Sequence, residues 1–428
     1  MKNIYLLFLL LPFFAYNQEQ VVTAIEAPFQ KEIKKLSEKK KVKNAFRLIQ
    51  NQTKATLKDH ILLTEIEAPP FKEDKRAAQF FKMMEAAGVD SIWIDEVGNV
   101  LALRKGKKGG RVVALDAHLD TVFPEGTDVE VKMRGDTIYA PGAADDTRGL
   151  AMLIRVLQVM NDTRLRTEAD VLFVGSVGEE GLGDLRGVKH IFSEKGVQID
   201  SWISIDGGQI GRVNNQGLGS HRYRVIFKGP GGHSWGAFGL VNPHHALGTA
   251  IHHFVQAADK FTSRGVKTSY NVGVISGGTS INSVPFSSTM EIDMRSVSPE
   301  RLDSMDQILI SAVNQAMEEQ NKIRRLGDSL TVDIKKIGDR PSGELASTLP
   351  LVQRAMACTA YFGKRPTLTR GSTNSNIPIA MGIPAVTIGR GGIGRNAHSL
   401  QEWWLDVEGY KATQLALLLL LSESGMAK

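Results

Sequence analysis

Short apolar runs alternate with helical periodicities through the first half of the chain. Residues 112–117, 171–177 and 202–205 are nearly continuous apolar runs, which is typical of strands buried on both faces. Between these runs, residues 76–87 and 149–160 place apolar side chains at helical spacing. This alternation predicts an α/β domain in which helices cover both faces of a sheet.

The pattern changes after residue 214 and returns after residue 338. In between, strand-like and helix-like segments follow in the order β-α-β-β-α-β, which predicts a self-contained ferredoxin-like α+β unit. The predicted segments are 221–227, 243–257, 269–275, 287–294, 299–319 and 330–337. After them come a predicted helix at 345–362, an apolar segment at 385–388 and a terminal helix from residue 406. We therefore predict one domain in two parts, residues 18–216 and 338–428, that brackets an insert at residues 217–337.

The first residues have the profile of a signal peptide. Lys2 precedes an apolar run of 13 residues from Ile4 to Tyr16, and polar residues follow it. A run of this length is too short to span a bilayer, which needs about 20 residues. We therefore predict a signal peptide at residues 1–17 and export of a soluble protein, periplasmic or secreted, with no membrane association after the signal is removed.

Composition narrows the range of partners. The 428 residues are 42% hydrophobic and 23% charged, which is typical of a globular protein, and the net charge is +6. Basic residues are dispersed except for a lysine-rich run at 31–43, and no basic stripe with interleaved aromatics is present, so we predict no nucleic-acid partner. We expect the lysine-rich run to be the solvated face of a helix. The single cysteine, Cys358, excludes an internal disulfide and is expected to be a buried core residue.

Polar side chains able to bind metal stand where the predicted strands end. The strand at 112–117 runs into His118 and Asp120, which are two residues apart and therefore on the same side of an extended chain. A histidine that binds a metal through one nitrogen needs an acceptor at the other, and Asp120 can supply it. A Gly- and Ala-rich turn then presents Asp145 and Asp146 just before a predicted helix. Capping of that helix uses only one of the two carboxylates.

Two further strand ends carry acids, and a distant loop carries a second histidine. Glu179 and Glu180 follow the second predicted strand, Asp206 follows the third, and His398 lies in a loop near the C-terminus. Carboxylates crowded together without a counter-ion repel one another, which makes a cation their natural neutraliser. The combined set of histidines and acids suits two zinc ions that share a bridging carboxylate.

In this order and spacing, the motifs resemble those of the dinuclear zinc metallopeptidase family that includes peptidase T, carboxypeptidase G, aminoacylase and succinyl-diaminopimelate desuccinylase. The matching motifs are His118-x-Asp120, Ala-Asp145-Asp146, Glu179-Glu180-Gly181, Asp206, Gly-Gly-His233 and Ala-His398-Ser399. The resemblance covers nearly the whole chain after about residue 57. It implies a zinc-peptidase catalytic domain with a mixed sheet and helices on both faces, and it makes the ferredoxin-like insert a lid and dimerisation domain.

The resemblance also implies the metal ligands. His118 and Asp206 would bind one zinc ion, Glu180 and His398 would bind the other, and Asp145 would bridge the two. Co²⁺ and Mn²⁺ are the expected substitutes for the two Zn²⁺ ions. A cis peptide bond between Asp145 and Asp146 is a further family feature that we expect here.

The same resemblance implies roles for the residues around the metal ions. Asp120 would accept a hydrogen bond from His118, and Glu179 would be the general base that takes a proton from a bridging water and passes it to the leaving amine. His233, on the insert of a homodimer, would reach into the partner subunit's site and stabilise the tetrahedral intermediate. Asn282 and Arg295 would contact the substrate, although Arg295 is equally well explained as a structural ion-pair partner.

The substrate class depends on a few positions. In the family, an aspartate at the fourth acidic position accompanies aminopeptidase or dipeptidase action, so Asp206 favours hydrolysis of short peptides near a free N-terminus. The usual Gly-Gly-Thr-Asp stretch is replaced by Gly371, Ser372, Thr373 and Asn374, which weakens the inferred contacts with the substrate terminus. We therefore expect a zinc metallopeptidase of the aminopeptidase, dipeptidase or tripeptidase type. An N-acyl-amino-acid amidohydrolase or carboxypeptidase is the alternative, and a non-catalytic peptide-binding protein is a remote one.

Overall fold

The computed structural model describes residues 24–428, so the predicted signal peptide at residues 1–17 lies outside the described residues. The α-helices of the described residues are α1 (Ala27–Ser37), α2 (Lys40–Asn51), α3 (Thr53–Thr64), α4 (Asp74–Ala87), α5 (Thr147–Asp162), α6 (Arg186–Ile191), α7 (Pro243–Thr262), α8 (Pro299–Lys322), α9 (Pro350–Tyr361), α10 (Asn376–Ala380) and α11 (Tyr410–Ser424). None of these helices in residues 24–428 combines the length and the apolar character that crossing a bilayer requires.

The strands of the same residues belong to four sheets. They are β1 (Ser91–Ile94), β2 (Val100–Arg104), β3 (Val112–His118), β4 (Lys132–Arg134), β5 (Thr137–Tyr139), β6 (Asp170–Ser176), β7 (Ser201–Ile205), β8 (Arg212–Gly217), β9 (Gly219–Lys228), β10 (Gly232–His233), β11 (Thr268–Gly277), β12 (Ser283–Val284), β13 (Ser287–Ser296), β14 (Thr331–Arg340), β15 (Gly343–Glu344), β16 (Thr367–Gly371), β17 (Ala385–Ile388), β18 (Ile393–Arg395) and β19 (Trp403–Leu405).

A mixed sheet of nine strands forms the centre of the larger domain. Its strands lie in the order β1-β2-β6-β3-β7-β17-β8-β15, and β16 pairs with β8 off this path. β3 is parallel to β6 and β7, and β17 is parallel to β7, whereas β2 and β8 run antiparallel to their neighbours β6 and β17. The predicted α/β class with a mixed sheet is therefore confirmed.

Alternate residues of the central strands are buried on opposite faces of this sheet. Val113 and Leu115 of β3 belong to a core that also contains residues of α1, α2, α4, α5, α9 and α11. Ala114, between them, belongs to a second core with residues of α6 and α10. Because helices cover both faces, neither side of these strands meets water, and the strands consist of nearly continuous apolar residues.

The burial of three segments identifies their place in the fold. As expected, the lysines of the run at 31–43 are all exposed, on α1, on α2 or at the turn between them. Cys358 is buried in α9 and free. Residues 415–421 of α11 are buried in the larger core, so this apolar run is a core helix.

Two helices begin later in the chain than predicted, because turns and strand pairing come first. α9 begins at Pro350, not at residue 345, since the chain first pairs with β8 as β15 and proline suits the first turn of a helix. α11 begins at Tyr410, not at residue 406, since the Asp406 carboxylate accepts a hydrogen bond from a backbone N–H three residues later (2.8 Å) and closes a turn.

Between β8 and β15 the chain forms a separate α+β unit, residues 219–340, which we call the insert. Its sheet has the order β11-β13-β9-β14 and is antiparallel throughout, and β11 is an edge strand. α7 and α8 pack on one face of this sheet around Phe254, Met290 and Leu309. The short strands β10 and β12 pair separately from it. β14 ends at Arg340, where the chain returns to the larger domain.

Candidate metal centre

The predicted ligand set converges at one edge of the mixed sheet. β3, β6 and β7 are parallel neighbours, so their carboxyl ends meet at the same edge. His118 is the last residue of β3, the Glu179–Glu180 pair follows β6, and Asp206 follows β7. Asp145 stands just before α5, and His398 lies in the loop between β18 and β19. The edge therefore collects two histidines and four acids from five separate points of the chain.

These side chains form two adjacent groups that share Asp145. His118, Asp145 and Asp206 offer ligand atoms within 4.8 Å of one another, and we call this the inner position. Asp145, Glu180 and His398 do the same at what we call the outer position. The Asp145 Oδ1 atom lies 3.0 Å from His118 Nε2, and its Oδ2 atom lies 3.7 Å from His398 Nε2. One carboxylate therefore faces both positions, as a bridging ligand must.

The donor set fits two divalent cations. Histidine nitrogens and carboxylate oxygens are ligands that zinc accepts in catalytic sites. Burial, with repulsion from Asp145 as the next cause, raises the pKa of Asp206 to about 6. Burial also raises the pKa of Glu179 well above its usual range, although Arg340 opposes this shift. Cations in the cluster would relieve the crowding because they favour the charged form of every neighbouring carboxylate.

Asp120 supports the site in a different way from the predicted one. His118 Nδ1 lies 3.0 Å from the main-chain oxygen of Asp120 but 3.7 Å from its carboxylate, so the hydrogen bond is to the carbonyl. The carboxylate instead accepts the backbone N–H groups of Glu179 (2.9 Å) and Glu180 (2.8 Å). The predicted acceptor for His118 is thus the right residue but the wrong group, since both carboxylate oxygens are used to position the glutamate pair.

Glu402 is a supporting residue that the sequence analysis missed. Its buried carboxylate accepts backbone N–H groups of Gly142 (3.0 Å), Ala144 (2.6 Å) and Asp145 (3.0 Å). Glu402 therefore joins the loop of His398 to the turn that presents Asp145. Its position on the loop of the predicted ligand His398 is the signal that could have identified it.

Arg340 is a second missed residue, and it contacts the predicted general base. The buried guanidinium places Nη1 at 3.3 Å from Glu179 Oε1 and 3.1 Å from the Ser372 hydroxyl. Its Nη2 donates to the main-chain oxygen of Glu179. Since Arg340 is the last residue of β14, the insert is linked directly to Glu179 at the point where the chain returns to the larger domain.

Arg390 is the third missed residue, and it lies among the predicted ligands. Its Nη1 atom is 2.8 Å from Asp145 Oδ1, 3.0 Å from Asp146 Oδ1 and 3.5 Å from Asp206 Oδ1. Burial raises the pKa of Asp145, but Arg390 and His118 outweigh it and hold that pKa well below its usual range. Arg390 follows β17 at the same sheet edge, so the rule that located the acids at strand ends applies to it as well.

A cleft of about 420 Å³ opens onto the metal centre. Asp145, Glu179, Glu180, Asp206 and His398 line one part of it. Its other lining residues include four arginines, Arg212, Arg222, Arg295 and Arg340. The cleft therefore combines a cluster of acids able to hold cations with a wall able to hold an anionic group.

Of the residues predicted to touch substrate, Arg295 lines this cleft and the others do not. Arg295 also pairs with Asp293 through Nε (2.7 Å), so both explanations of this residue describe real contacts. His233 is exposed, and the Ser234 N–H donates to the Asn282 main-chain oxygen (2.9 Å). Within one chain, His233 and Asn282 are therefore neighbours on the insert, and neither is among the residues that line the cleft.

The stretch at Gly371–Asn374 divides its side chains between cleft and interior. Ser372 and Thr373 line the cleft. Asn374 is buried and donates to Asp116 (3.0 Å) and Ser176 (2.8 Å) beneath the sheet edge. The side chain that replaces the family's aspartate thus makes internal hydrogen bonds.

The backbone between Asp145 and Asp146 is cis, as the resemblance implied. Asp146 occupies the N-cap position of α5, yet its side chain makes no capping hydrogen bond. Its Oδ2 atom accepts the His118 N–H (3.3 Å), and its Oδ1 atom contacts Arg390. Both carboxylates of the pair are therefore committed to the site, and neither caps the helix.

Comparison with known proteins gives a family match over most of the chain. Residues 114–422 match the model described as peptidase family M20/M25/M40. A putative [LysW]-lysine/[LysW]-ornithine hydrolase of Pyrococcus furiosus is 31% identical over 129 residues, which are 30% of this chain and only 35% of that relative.

Two solved structures share the fold. A tripeptidase of Staphylococcus aureus has a TM-score of 0.69 at 21% identity, over 86% of this chain and 97% of that one. YXEP of Bacillus subtilis, a dinuclear metal binding peptidase from the M20 family, has a TM-score of 0.59 at 18% identity, over 87% of this chain and 98% of that one. At these identities the likeness concerns the fold.

Proposed function

The chain belongs to peptidase family M20/M25/M40. From this premise we propose that it is a metal-dependent peptide hydrolase, namely an exported zinc metallopeptidase that cleaves short peptides. The proposed type is an aminopeptidase, dipeptidase or tripeptidase. The observation that supports it is one cleft that holds the paired metal positions, Glu179 and a wall of arginines.

The side chains around the metal positions supply a proton carrier and a fixed geometry. Two bound zinc ions would polarise the scissile carbonyl and lower the pKa of the attacking water. Glu179 lines the cleft beside Glu180, so its carboxylate can take a proton from that water and pass it to the leaving amine. Arg340 and Asp120 hold Glu179 through its carboxylate and its backbone, which limits the positions that the base can take.

The size and charge of the cleft favour a short substrate with a free carboxylate. A volume of about 420 Å³ lies at the lower end of the range for small-molecule sites, which is about 300 to 1,000 Å³. Arginine binds carboxylates through a planar fork of donors. Because Arg212 and Arg295 line the same cleft as the metal positions, we propose that one of them binds the terminal carboxylate of a dipeptide or tripeptide.

A second candidate function, hydrolysis of N-acyl amino acids or carboxypeptidase action, is favoured by the distribution of charge. The acids that line the described cleft are Asp145, Glu179, Glu180 and Asp206, and all have proposed roles as ligands or base. Among the residues that line this cleft, arginines can therefore bind a substrate carboxylate, but no further acid is left to bind a free amino group of the substrate.

We further propose a homodimer formed through the insert. Trp235 and Phe238 follow His233 closely in sequence, and Ile281 precedes Asn282, whose main-chain oxygen accepts the Ser234 N–H. These three side chains are 85%, 68% and 103% exposed, respectively. Burial of such a patch on association is favourable, and β11 adds an unpaired sheet edge. In this arrangement His233 would complete the partner subunit's site, where an imidazole can stabilise a developing oxyanion.

A substrate panel tests the proposed function. Zinc-loaded protein is given a dipeptide, a tripeptide, their N-acetylated and C-amidated forms, and an N-acetyl amino acid. We expect the unblocked peptides to be hydrolysed at least tenfold faster than the N-acetylated ones, and C-amidation to slow hydrolysis. Equal rates with N-acetylated substrates would support the second candidate, and no hydrolysis of any member would contradict both. Glu179→Gln protein prepared in parallel controls for contaminating peptidases.

A further inference from the structure

Arg390 places a permanent positive charge inside the metal centre. Its side chain is 9% exposed, and its guanidinium contacts Asp145, Asp146 and Asp206 through a single nitrogen, Nη1. Lysine at such a site can lose its proton, but arginine stays charged at every accessible pH. The charge on Arg390 is therefore present whether or not the site holds a cation.

The two metal positions differ in how closely they meet this charge. At the inner position, two of the three ligands contact Arg390. Its Nη1 atom lies 2.8 Å from Asp145 Oδ1 and 3.5 Å from Asp206 Oδ1. At the outer position, Glu180 and His398 pair with each other at 2.8 Å, and no arginine or lysine of the described residues lies within ion-pair distance of either. Only the bridging Asp145 is common to both, and its outer oxygen, Oδ2, is not the one that contacts Arg390.

We propose that Arg390 makes the two positions unequal, so that the outer position binds its divalent cation first and the inner position binds second and more weakly. A fixed positive charge raises the free energy of a second cation nearby, and the effect is strong where water is excluded. Arg390 also contacts one carboxylate oxygen of Asp145 and one of Asp206, so these oxygens are less available to a cation at the inner position. This proposal uses only the metal centre of the proposed function and does not depend on the substrate.

The charge of Arg390 cannot be removed cleanly by a single substitution, because Arg390 also pairs with Asp146. Asp146 is fully buried, and within residues 24–428 Arg390 is the only charged residue that forms an ion pair with it. Replacing Arg390 alone would leave a buried carboxylate unpaired, which is strongly destabilising. The informative variant is therefore the double substitution Arg390→Met with Asp146→Asn, because asparagine keeps an oxygen for the His118 N–H.

The experiment is a titration of metal-free protein with Zn²⁺ at fixed pH, followed by competition with a chromophoric chelator. We expect two binding steps whose dissociation constants differ at least tenfold in the wild type and converge to within about threefold in the double variant. Arg155→Met is the matched control, since Arg155 is also buried but bonds to Thr56, Gln52 and Asp59. Thermal melting of each protein confirms that it is folded.

Each outcome of the titration bears on the proposal. Equal affinities in the wild type or an unchanged separation in the folded double variant would overturn it. A separation lost equally in Arg155→Met would overturn it too, because the effect would not be specific to the charge at Arg390. Failure of the wild type to bind any zinc would overturn the proposed function together with this inference, so the two failures are distinguishable.

Discussion

Within residues 24–428, the metal centre and a second cluster both join histidine to aspartate, yet they differ in how their charges are balanced. The first is the metal centre. The second, which we call the histidine cluster, consists of His221, Asp303, Asp306, Lys336 and Asp339 on the insert. Ligand atoms of His221, Asp303 and Asp306 lie as close together as those of the metal centre. Composition and spacing alone therefore do not separate the two.

Charge balance does separate them. In the histidine cluster, Lys336 Nζ lies 3.0 Å from Asp306, and His221 lies 2.9 Å from Asp306 and 3.3 Å from Asp339. Burial lowers the pKa of His221, but hydrogen bonds with Asp306 and Asp339 outweigh it and raise that pKa to about 9. The cluster thus carries its own cations. In the metal centre, by contrast, burial raises the pKa of Asp206 and Glu179, which is typical of acids that lack sufficient counter-charge.

The largest expected effect is removal of the metal ions. A strong chelator should abolish hydrolysis and lower the melting temperature by several degrees, since a ligand held at 1,000 times its dissociation constant stabilises the fold by about 4 kcal/mol. Elemental analysis should find two ions per chain. His221→Gln protein should keep both ions, and loss of an ion in that variant would mean that the histidine cluster is a metal site after all.

Glu179→Gln should be nearly as damaging to catalysis but should leave the metal content unchanged. Glutamine fills the same space and keeps the backbone contacts with Asp120, but it does not accept a proton at neutral pH. We expect kcat to fall by about a thousandfold, within the range for loss of a general base. Metal analysis and steady-state kinetics on the same preparation check this. Retained activity would remove Glu179 from its proposed role.

Arg340→Met should give a smaller loss, because it acts through Glu179. The substitution removes the contacts with the carboxylate and main-chain oxygen of Glu179 and with Ser372. We expect kcat to fall by about ten- to a hundredfold, as is usual when a group that positions a catalytic residue is lost. Zinc affinity should change little, since Arg340 contacts none of the proposed ligands. A loss of zinc equal to the loss of activity would contradict a positioning role.

The sequence could predict that the proposed ligands converge because most of their positions follow from the geometry of parallel strands. His118 and Asp206 stand at strand ends, and Glu179 and Glu180 come just after one, so recognition of the apolar strands sufficed to place all four at one edge. Supporting residues do not carry such a signal. Glu402 binds Ala144 across 258 positions of the chain, and no local pattern encodes that contact.

For a related reason, the sequence did not predict where some helices begin or which way some side chains point. The start of α9 depends on the pairing of β15 with β8, which lies more than 100 residues earlier in the chain. Asn374 and Ser372 are two residues apart, yet one donates to Asp116 in the interior and the other lines the cleft. These features depend on tertiary contacts, whereas the apolar runs depend only on burial of the strand.

The smallest expected effect concerns the histidine cluster and tests its charge balance directly. The pKa of His221 is raised from 6.5 to about 9 in the folded protein, so its contribution to stability is complete below about pH 6.5 and is lost as the pH rises through about 9. His221→Gln should therefore lower the free energy of unfolding by about 1 to 2 kcal/mol at pH 6 and by much less at pH 10.

Denaturant unfolding of the wild type and of His221→Gln at pH 6 and pH 10 measures the stability lost at each pH. Subtracting the variant's free energy of unfolding from that of the wild type cancels the contribution of other groups, which titrate in both proteins. His253→Gln is the matched control, because His253 pairs with the more exposed Glu319 and should change stability less. Hydrolysis should be unchanged in the His221 variant. A cost that is equal at pH 6 and pH 10 would mean that His221 contributes by packing and not by charge, and the contrast between a self-balanced cluster and a cation-requiring one would lose its physical basis.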